Sequence, residues 1–181
     1  RKTNYVAAIN ILNVAIQKKA WKIILAGTAK DNPSGYTIWK HAAAIEYITQ
    51  KKIQAVVLAY TNIYGKGGKG VINQLEKRIK RNEDCILIAE KEVIDFIYIK
   101  DVVEINKKAI DLKHGQYYAG SRTKTSLVEV ARILKNYLGP FDYSVTTPQQ
   151  NHNYIEELRF LPSHWKMRYS LEQGIREMVE E

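Results

Sequence analysis

The sequence predicts an α/β fold whose early part is a parallel sheet and whose later part is a smaller, mixed lobe. Three observations carry that expectation. Helical stripes alternate with short apolar strands between Tyr5 and Tyr60, the pattern of strands connected by crossover helices. Residues 53–60 are apolar at nearly every position and rich in Val and Ile, which suits a parallel strand covered on both faces. A chain of 181 residues can bury about 70% of its unfolded surface, so it can hold a real core.

Taken in order, Tyr5, Ile9, Leu12 and Ile16 recur at helical spacing. An apolar strand follows at residues 22–26, then a helix over 36–48 that ends before the polar Gln50-Lys51-Lys52, then the strand at 53–60. Val71, Ile72, Leu75 and Ile79 mark a third helix, Cys85–Ile88 a short strand and residues 96–99 another. Asp101 is expected to cap a helix through about Leu112, with Glu104 in the capping-box position. Ser126 and Glu129 repeat the box before Leu127, Val130, Leu134 and Leu138, and Gly139-Pro140 stops that helix. Ser170 and Gln173 open a last helix carrying Leu171, Ile175 and Met178. The expected division is a first domain over 1–70 and a second over 71–181, with some later segments returning to the first sheet.

With 45% hydrophobic and 26% charged residues, 10 Gly and 4 Pro, the chain is neither disordered nor collagen-like. Its apolar runs stop far short of the ~20 residues of a membrane span, and no charged-then-apolar leader opens it; a soluble, cytoplasmic protein is expected. Cys85 is the single cysteine, so no internal disulfide can form and a buried thiol is expected. The net charge of +9, from 28 Lys and Arg against 19 Asp and Glu, invites a nucleic-acid reading. The cations are scattered in small groups such as Lys18-Lys19 and Lys77-Arg78, near helix ends where they favour the dipole. No specific nucleic-acid partner is expected, only association that falls steeply with salt.

Gly65, Gly67 and Gly70 match Gly-x-Gly-x-x-Gly after a strand and before a helix, with Glu90 about twenty residues on. Four residues separate strand from first glycine, so a loose basic loop is the competing reading. Tyr36 and Lys40 stand at i and i+4, on one face of their helix. An ammonium beside a phenol favours the phenolate, which is what a general base for an alcohol proton needs. A plain helix surface gives the same spacing.

The surroundings of that pair resemble the extended short-chain dehydrogenase/reductases, the NAD-dependent nucleotide-sugar epimerases and dehydratases. Residues 22–29 (Lys-Ile-Ile-Leu-Ala-Gly-Thr-Ala) look like the strand ending in the catalytic Ser/Thr, and 33–40 (Pro-Ser-Gly-Tyr-Thr-Ile-Trp-Lys) like the segment with the catalytic Tyr and Lys. Residues 57–65 (Val-Leu-Ala-Tyr-Thr-Asn-Ile-Tyr-Gly) are similar to the Asn-Val-Tyr-Gly strand and loop. Residues 95–103 resemble the Asp-Phe-Ile-Tyr-Val-x-Asp-Val signature, and 165–175 the C-terminal ending. The resemblance implies a Rossmann-like sheet, the C-terminal half of a cofactor domain, followed by a substrate-binding lobe. It implies hydride transfer to NAD or NADP, with Tyr36 taking the proton from a sugar hydroxyl, Lys40 lowering the phenol's pKa and holding the nicotinamide ribose, and Thr28 bonding the reacting oxygen. Tyr36, Lys40 and Tyr60 would face the cofactor, Asn62 and Tyr64 the nucleotide-sugar, and no metal is implied.

The match takes up the family's C-terminal part only. If residues 1–181 act alone, the pyrophosphate lacks its helix N-terminus and tight NAD binding is not expected; a noncatalytic relative serving as a binding or assembly module is the alternative. Ile94 and Ala59 stand where the family commonly has Arg, and Trp39 where it has Ser. Apolar residues beyond one stripe on helices 5–16 and 36–48, with the family's four-helix bundle, imply a homodimer through those helices, with Ala42 and Ala43 at the contact.

Overall fold

The computed structural model describes residues 2–88, 93–146, 154–155 and 158–180. A π-helical turn, Lys2–Val6, leads into α1 (Ala7–Gln17), followed by β1 (Lys22–Thr28), α2 (Gly35–Thr49), β2 (Gln54–Tyr60), β3 (Asn62–Tyr64) and α3 (Val71–Lys80). Then come β4 (Cys85–Ile88), β5 (Val93–Tyr98), α4 (Ile99–Lys108), β6 (Gly115–Ala119), β7 (Lys124–Ser126), α5 (Leu127–Leu138), β8 (Tyr143–Thr146), β9 (Arg159–Phe160) and α6 (Leu171–Glu180). These elements make an α/β fold of two compact units closely matched in size. The first is Arg1–Thr61, Glu104–Ala119 and Asn153–Trp165; the second is Asn62–Val103, Gly120–His152 and Lys166–Glu181. The first unit takes in two later segments, and its opening stretch ends at Thr61, before the glycine loop.

The first unit is built on one parallel sheet in the order β1-β2-β6-β9. β2 lies inside it, buried from Ala55 to Tyr60, as its unbroken apolar run requires. Ala8 and Leu12 of α1 and Ala43, Ala44 and Tyr47 of α2 pack with Ala55 and Val57. The Tyr47 hydroxyl donates to the Ala8 carbonyl at 2.8 Å, so the ring fills the core without stranding its polar end. His114 accepts from the Ala55 amide at 3.0 Å through Nδ1 and donates to the Ile48 carbonyl at 2.8 Å through Nε2, joining the end of α2 to the start of β2. Lys22 donates to the carbonyls of Ile110 and Leu112, closing the turn that ends α4.

The second unit holds two small sheets, β3-β5-β7 and β4-β8. β3 and β5 are parallel, whereas β5 and β7 are antiparallel. Its core gathers Ile72, Leu75, Phe96, Tyr98, Leu134 and Ile175. Cys85 is buried, as expected, and burial pushes its thiol up. Ser126 Oγ accepts from the Glu129 amide at 3.1 Å, and Gly139 ends α5 with φ 85°; the Glu129 carboxylate pairs with Arg132 rather than closing a box. Ser170 and Gln173 do form a reciprocal pair at the start of α6, with bonds of 2.8 and 3.2 Å.

Two expectations need correcting. Asp101 does not cap α4, because that helix begins at Ile99 directly from β5 and places Asp101 in its first turn. Its buried carboxylate instead accepts from the amides of Arg168 at 2.8 Å and Tyr169 at 3.3 Å, and Glu104 pairs with Lys107 at 2.9 Å. The strand expected at 96–99 runs Val93–Tyr98, since antiparallel pairing of Val93 with Ser126 extends it at the front and α4 consumes Ile99. No helix among the described residues is long and apolar enough to cross a membrane.

Candidate active site

Thr28 and Tyr60 are Cα partners at the C-terminal ends of β1 and β2, the edge where open α/β sheets bind ligands. The connection from β1 to α2 is tied down at both ends. Ala29 donates to the Tyr60 carbonyl and accepts from Ile155, while His41 reaches the Lys30 carbonyl at 2.8 Å. Ser34 then caps α2: its hydroxyl accepts from the Thr37 amide at 3.2 Å and its own amide donates to Thr37 Oγ1 at 3.1 Å. Thr37 is buried and also donates to the Asn32 carbonyl. This hydroxyl box, with Thr in place of the usual Glu or Gln, escapes a sequence search, yet it fixes the turn that carries Tyr36.

Tyr36 and Lys40 extend from that turn. Lys40 Nζ lies 6.0 Å from the centroid of the Tyr36 ring and donates to the Ala26 carbonyl of β1 at 2.8 Å. The pair is therefore one assembly, anchored near the C-terminal end of the strand. Tyr36 is half exposed, so its phenol can meet a ligand. Burial pushes the Tyr36 phenol up and the Lys40 ammonium down, so in the chain by itself desolvation, not the ammonium, sets the direction at Tyr36. The expected lowering by Lys40 is not what this geometry delivers unaided.

The other candidate residues divide between the units. Thr28 is buried at the end of β1, and its Oγ1 accepts from the Lys30 amide at 3.3 Å, which leaves the hydroxyl hydrogen to donate. Tyr60 is buried with its hydroxyl 2.6 Å from Asn106 Nδ2, and burial drives its pKa up. Asn106 is a partner that sequence reading had no signal to find. In the second unit Asn62 Nδ2 donates to the Asp95 carbonyl at 3.4 Å. Tyr64 is buried against Phe96 and Tyr98, and its hydroxyl donates to the Leu171 carbonyl at 3.2 Å; its ring has a packing role in the second core.

The glycines that suggested a phosphate fingerprint follow β3, not the sheet strand β2. Gly65 has φ 153°, and a Cβ there would clash with the Ile99 side chain, so close approach explains this glycine. Its carbonyl accepts from Asn73 Nδ2 at 2.7 Å, which holds the loop onto α3. Glu90 lies outside the described residues.

A parallel sheet with a Tyr-x-x-x-Lys helix laid against its first strand defines a Rossmann-like α/β protein. The chain belongs to the NAD dependent epimerase/dehydratase family, whose model matches residues 2–119. A Methanocaldococcus jannaschii protein provisionally named UDP-glucose 4-epimerase is 27% identical over 137 residues, which cover 70% of this chain and 45% of that relative. The chain thus spans about half the length of the curated relatives it matches. The crystal structure of Helicobacter pylori ADP-L-glycero-D-manno-heptose-6-epimerase is similar over 99% of this chain and 65% of its own, at 26% identity and a TM-score of 0.83. The UDP-glucose 4-epimerase of Thermus thermophilus, solved in complex with NAD, is similar over 99% and 69%, at 22% identity and a TM-score of 0.80, which speaks to fold.

Proposed function

We propose that the protein is an NAD(P)-dependent epimerase, dehydratase or reductase of a nucleotide-linked sugar, working through Tyr36 and Lys40. The observation that carries this reading is the anchoring of Lys40 to the Ala26 carbonyl one helical turn from a half-exposed Tyr36. An ammonium has three donors; with one given to Ala26, others can reach ribose hydroxyls, so the donor set fits the nicotinamide-ribose end of the cofactor. The cofactor, when bound, accepts the carbon-bound hydrogen together with its electron pair. The chain's own part is to take the hydroxyl proton at Tyr36 Oη, to orient the reacting oxygen through Thr28 Oγ1, and to hold the sugar-nucleotide from Asn62. The names of the similar proteins, UDP-glucose and ADP-heptose epimerases, support a nucleoside diphosphate sugar as substrate. The single buried thiol fits the reducing cytoplasm.

The test is to incubate the full-length protein with NAD and a set of UDP-, ADP-, CDP- and dTDP-hexoses and follow the sugar by NMR. Conversion that is lost in Lys40→Met supports the reading; no conversion, or conversion indifferent to Lys40, overturns it. Removal of the ammonium raises the phenol's pKa further. The rising limb of the pH–rate profile, which needs the phenolate, should therefore move to higher pH in Lys40→Met, while cofactor affinity falls.

We also infer a twofold homodimer through α1 and α2. Ile11 and Val14 of α1 and Ile38 and Ile45 of α2 are exposed, Ile11 and Ile45 at 61%, more apolar surface than one core-facing side needs. Ala43 cannot line that contact, because it is fully buried against the protein's own core; Ala42 remains available. Sedimentation of the full-length protein at tens of micromolar is expected to show a dimer that Ile45→Glu dissociates. A wild-type monomer would sink the inference.

A further inference from the structure

Three described residues other than glycine have positive φ: Lys19, Asn82 and Arg122. Lys19 and Asn82 each follow the last turn of a helix, α1 and α3, where a left-handed residue is ordinary. Arg122, at φ 67°, lies between strands β6 and β7, where no helix end accounts for it. A residue with a Cβ is held in that region at a cost of roughly 1 kcal/mol, so something must enforce it. That group is Asp95, fully buried in β5. Its carboxylate accepts from the Ser121 amide at 2.9 Å, the Ser121 hydroxyl at 2.6 Å and the Arg122 amide at 2.9 Å. Ser121 Oγ in turn accepts from the Thr123 amide at 3.0 Å, fixing the backbone on both sides of Arg122.

Asp95 has a second client within the same unit, since its backbone carbonyl accepts from Asn62 Nδ2. Asn62 and Arg122 are therefore suspended from one buried residue, and Lys124 stands opposite Asp95 in the β5–β7 register. Arg122 itself is exposed. Backbone held by its surroundings in a sparsely populated region clusters at active sites and ligand clamps.

We propose that Arg122 binds the diphosphate of the nucleotide-sugar, with Asp95 as the positioning residue that sets its backbone. The planar guanidinium matches phosphate oxygens through paired donors, and the backbone that carries it is held by the same residue whose carbonyl accepts from Asn62. This inference rests on the assignment of Asn62 to a nucleotide-linked sugar. Calorimetric titration with UDP, ADP, CDP and dTDP and with the corresponding nucleosides, on the wild type and on Arg122→Gly, tests it. Glycine relieves the left-handed strain, so the variant should melt no lower than the wild type. It should bind the preferred diphosphate about tenfold or more weakly and the nucleoside equally well. Diphosphate affinity within about twofold of the wild type, or a lowered melting temperature, would overturn the role of Arg122 while leaving the nucleotide-sugar reading intact. Failure of the wild type to bind any of the four diphosphates would overturn that reading and the inference with it.

Discussion

Tyr36→Phe is expected to lower nucleotide-sugar turnover by about 100-fold or more. The substitution deletes only the hydroxyl. The ring that lies 6.0 Å from Lys40 Nζ remains, as does the Ser34–Thr37 box that sets the turn, so cofactor affinity and melting temperature should stay close to the wild type. What is lost is the acceptor for the sugar hydroxyl's proton, and its neighbours on α2 do not replace it: Trp39 and Ile38 offer no base, the Lys40 ammonium has no lone pair, and His41 is engaged with the Lys30 carbonyl. Because burial already holds the phenol above its ordinary value, the wild-type rate should climb with pH through the neutral range, as a base that must first lose its proton requires. The variant should lose that climb. Steady-state rates against pH decide the matter, and a Phe variant with near-normal turnover would sink the assignment of Tyr36.

Asp101→Ala should destabilise the second unit by about 3 kcal/mol. In the wild type one buried carboxylate serves the amides of Arg168 and Tyr169, which lead into α6 through Ser170. Alanine leaves both amides without their acceptor and a void beside them. The neighbouring aromatic contacts depend on that segment: Tyr169 lies edge-on to Tyr98 at 4.9 Å, and Gly174 lets Tyr64 close on α6. For a chain of this length the loss corresponds to a fall in melting temperature of about 6–12 °C. Asp101→Asn, which keeps one acceptor, should fall by roughly half as much. A calorimetric melt of the Ala variant within about 2 °C of the wild type would show that Asp101 does not hold the segment.

These two residues mark the limits of what the sequence made legible. Helical geometry puts Tyr36 and Lys40, at i and i+4, on one face whatever else the chain does, but it was the family resemblance of their surroundings that set the pair apart from a plain helix surface. The same local logic found the Ser126 cap and the Ser170–Gln173 pair, and β2 was readable because a strand covered on both faces must be apolar throughout. Asp101 looked like a cap by spacing alone. Its true partners lie 67 positions away, and a buried carboxylate satisfied by distant amides leaves no periodic trace. Tyr60 and Asn106, separated by 46 positions, were hidden for that reason. The left-handed backbone of Arg122 was hidden for another, since the residue type argues against the conformation it adopts. The resemblance to a family supplied the roles of Thr28 and Asn62, and local chemistry alone would not have distinguished either from an ordinary polar residue.

The parallel order of the first sheet also sets a timetable for a chain that emerges from the ribosome N-terminus first. β1 and β2 can pair as soon as both are made, with α2 as their crossover. The other edge of β2 has to wait for Gly115–Ala119, and that strand waits in turn for Arg159–Phe160. At about 5–20 residues per second of synthesis, β2 carries an unpaired edge for roughly 3–12 s. Over that interval it is a template for any other extended segment, including the same strand on a neighbouring nascent chain. Slower translation across the insertion between β2 and β6 should therefore reduce the yield of soluble protein, and a chaperone that shields extended apolar segments should restore it.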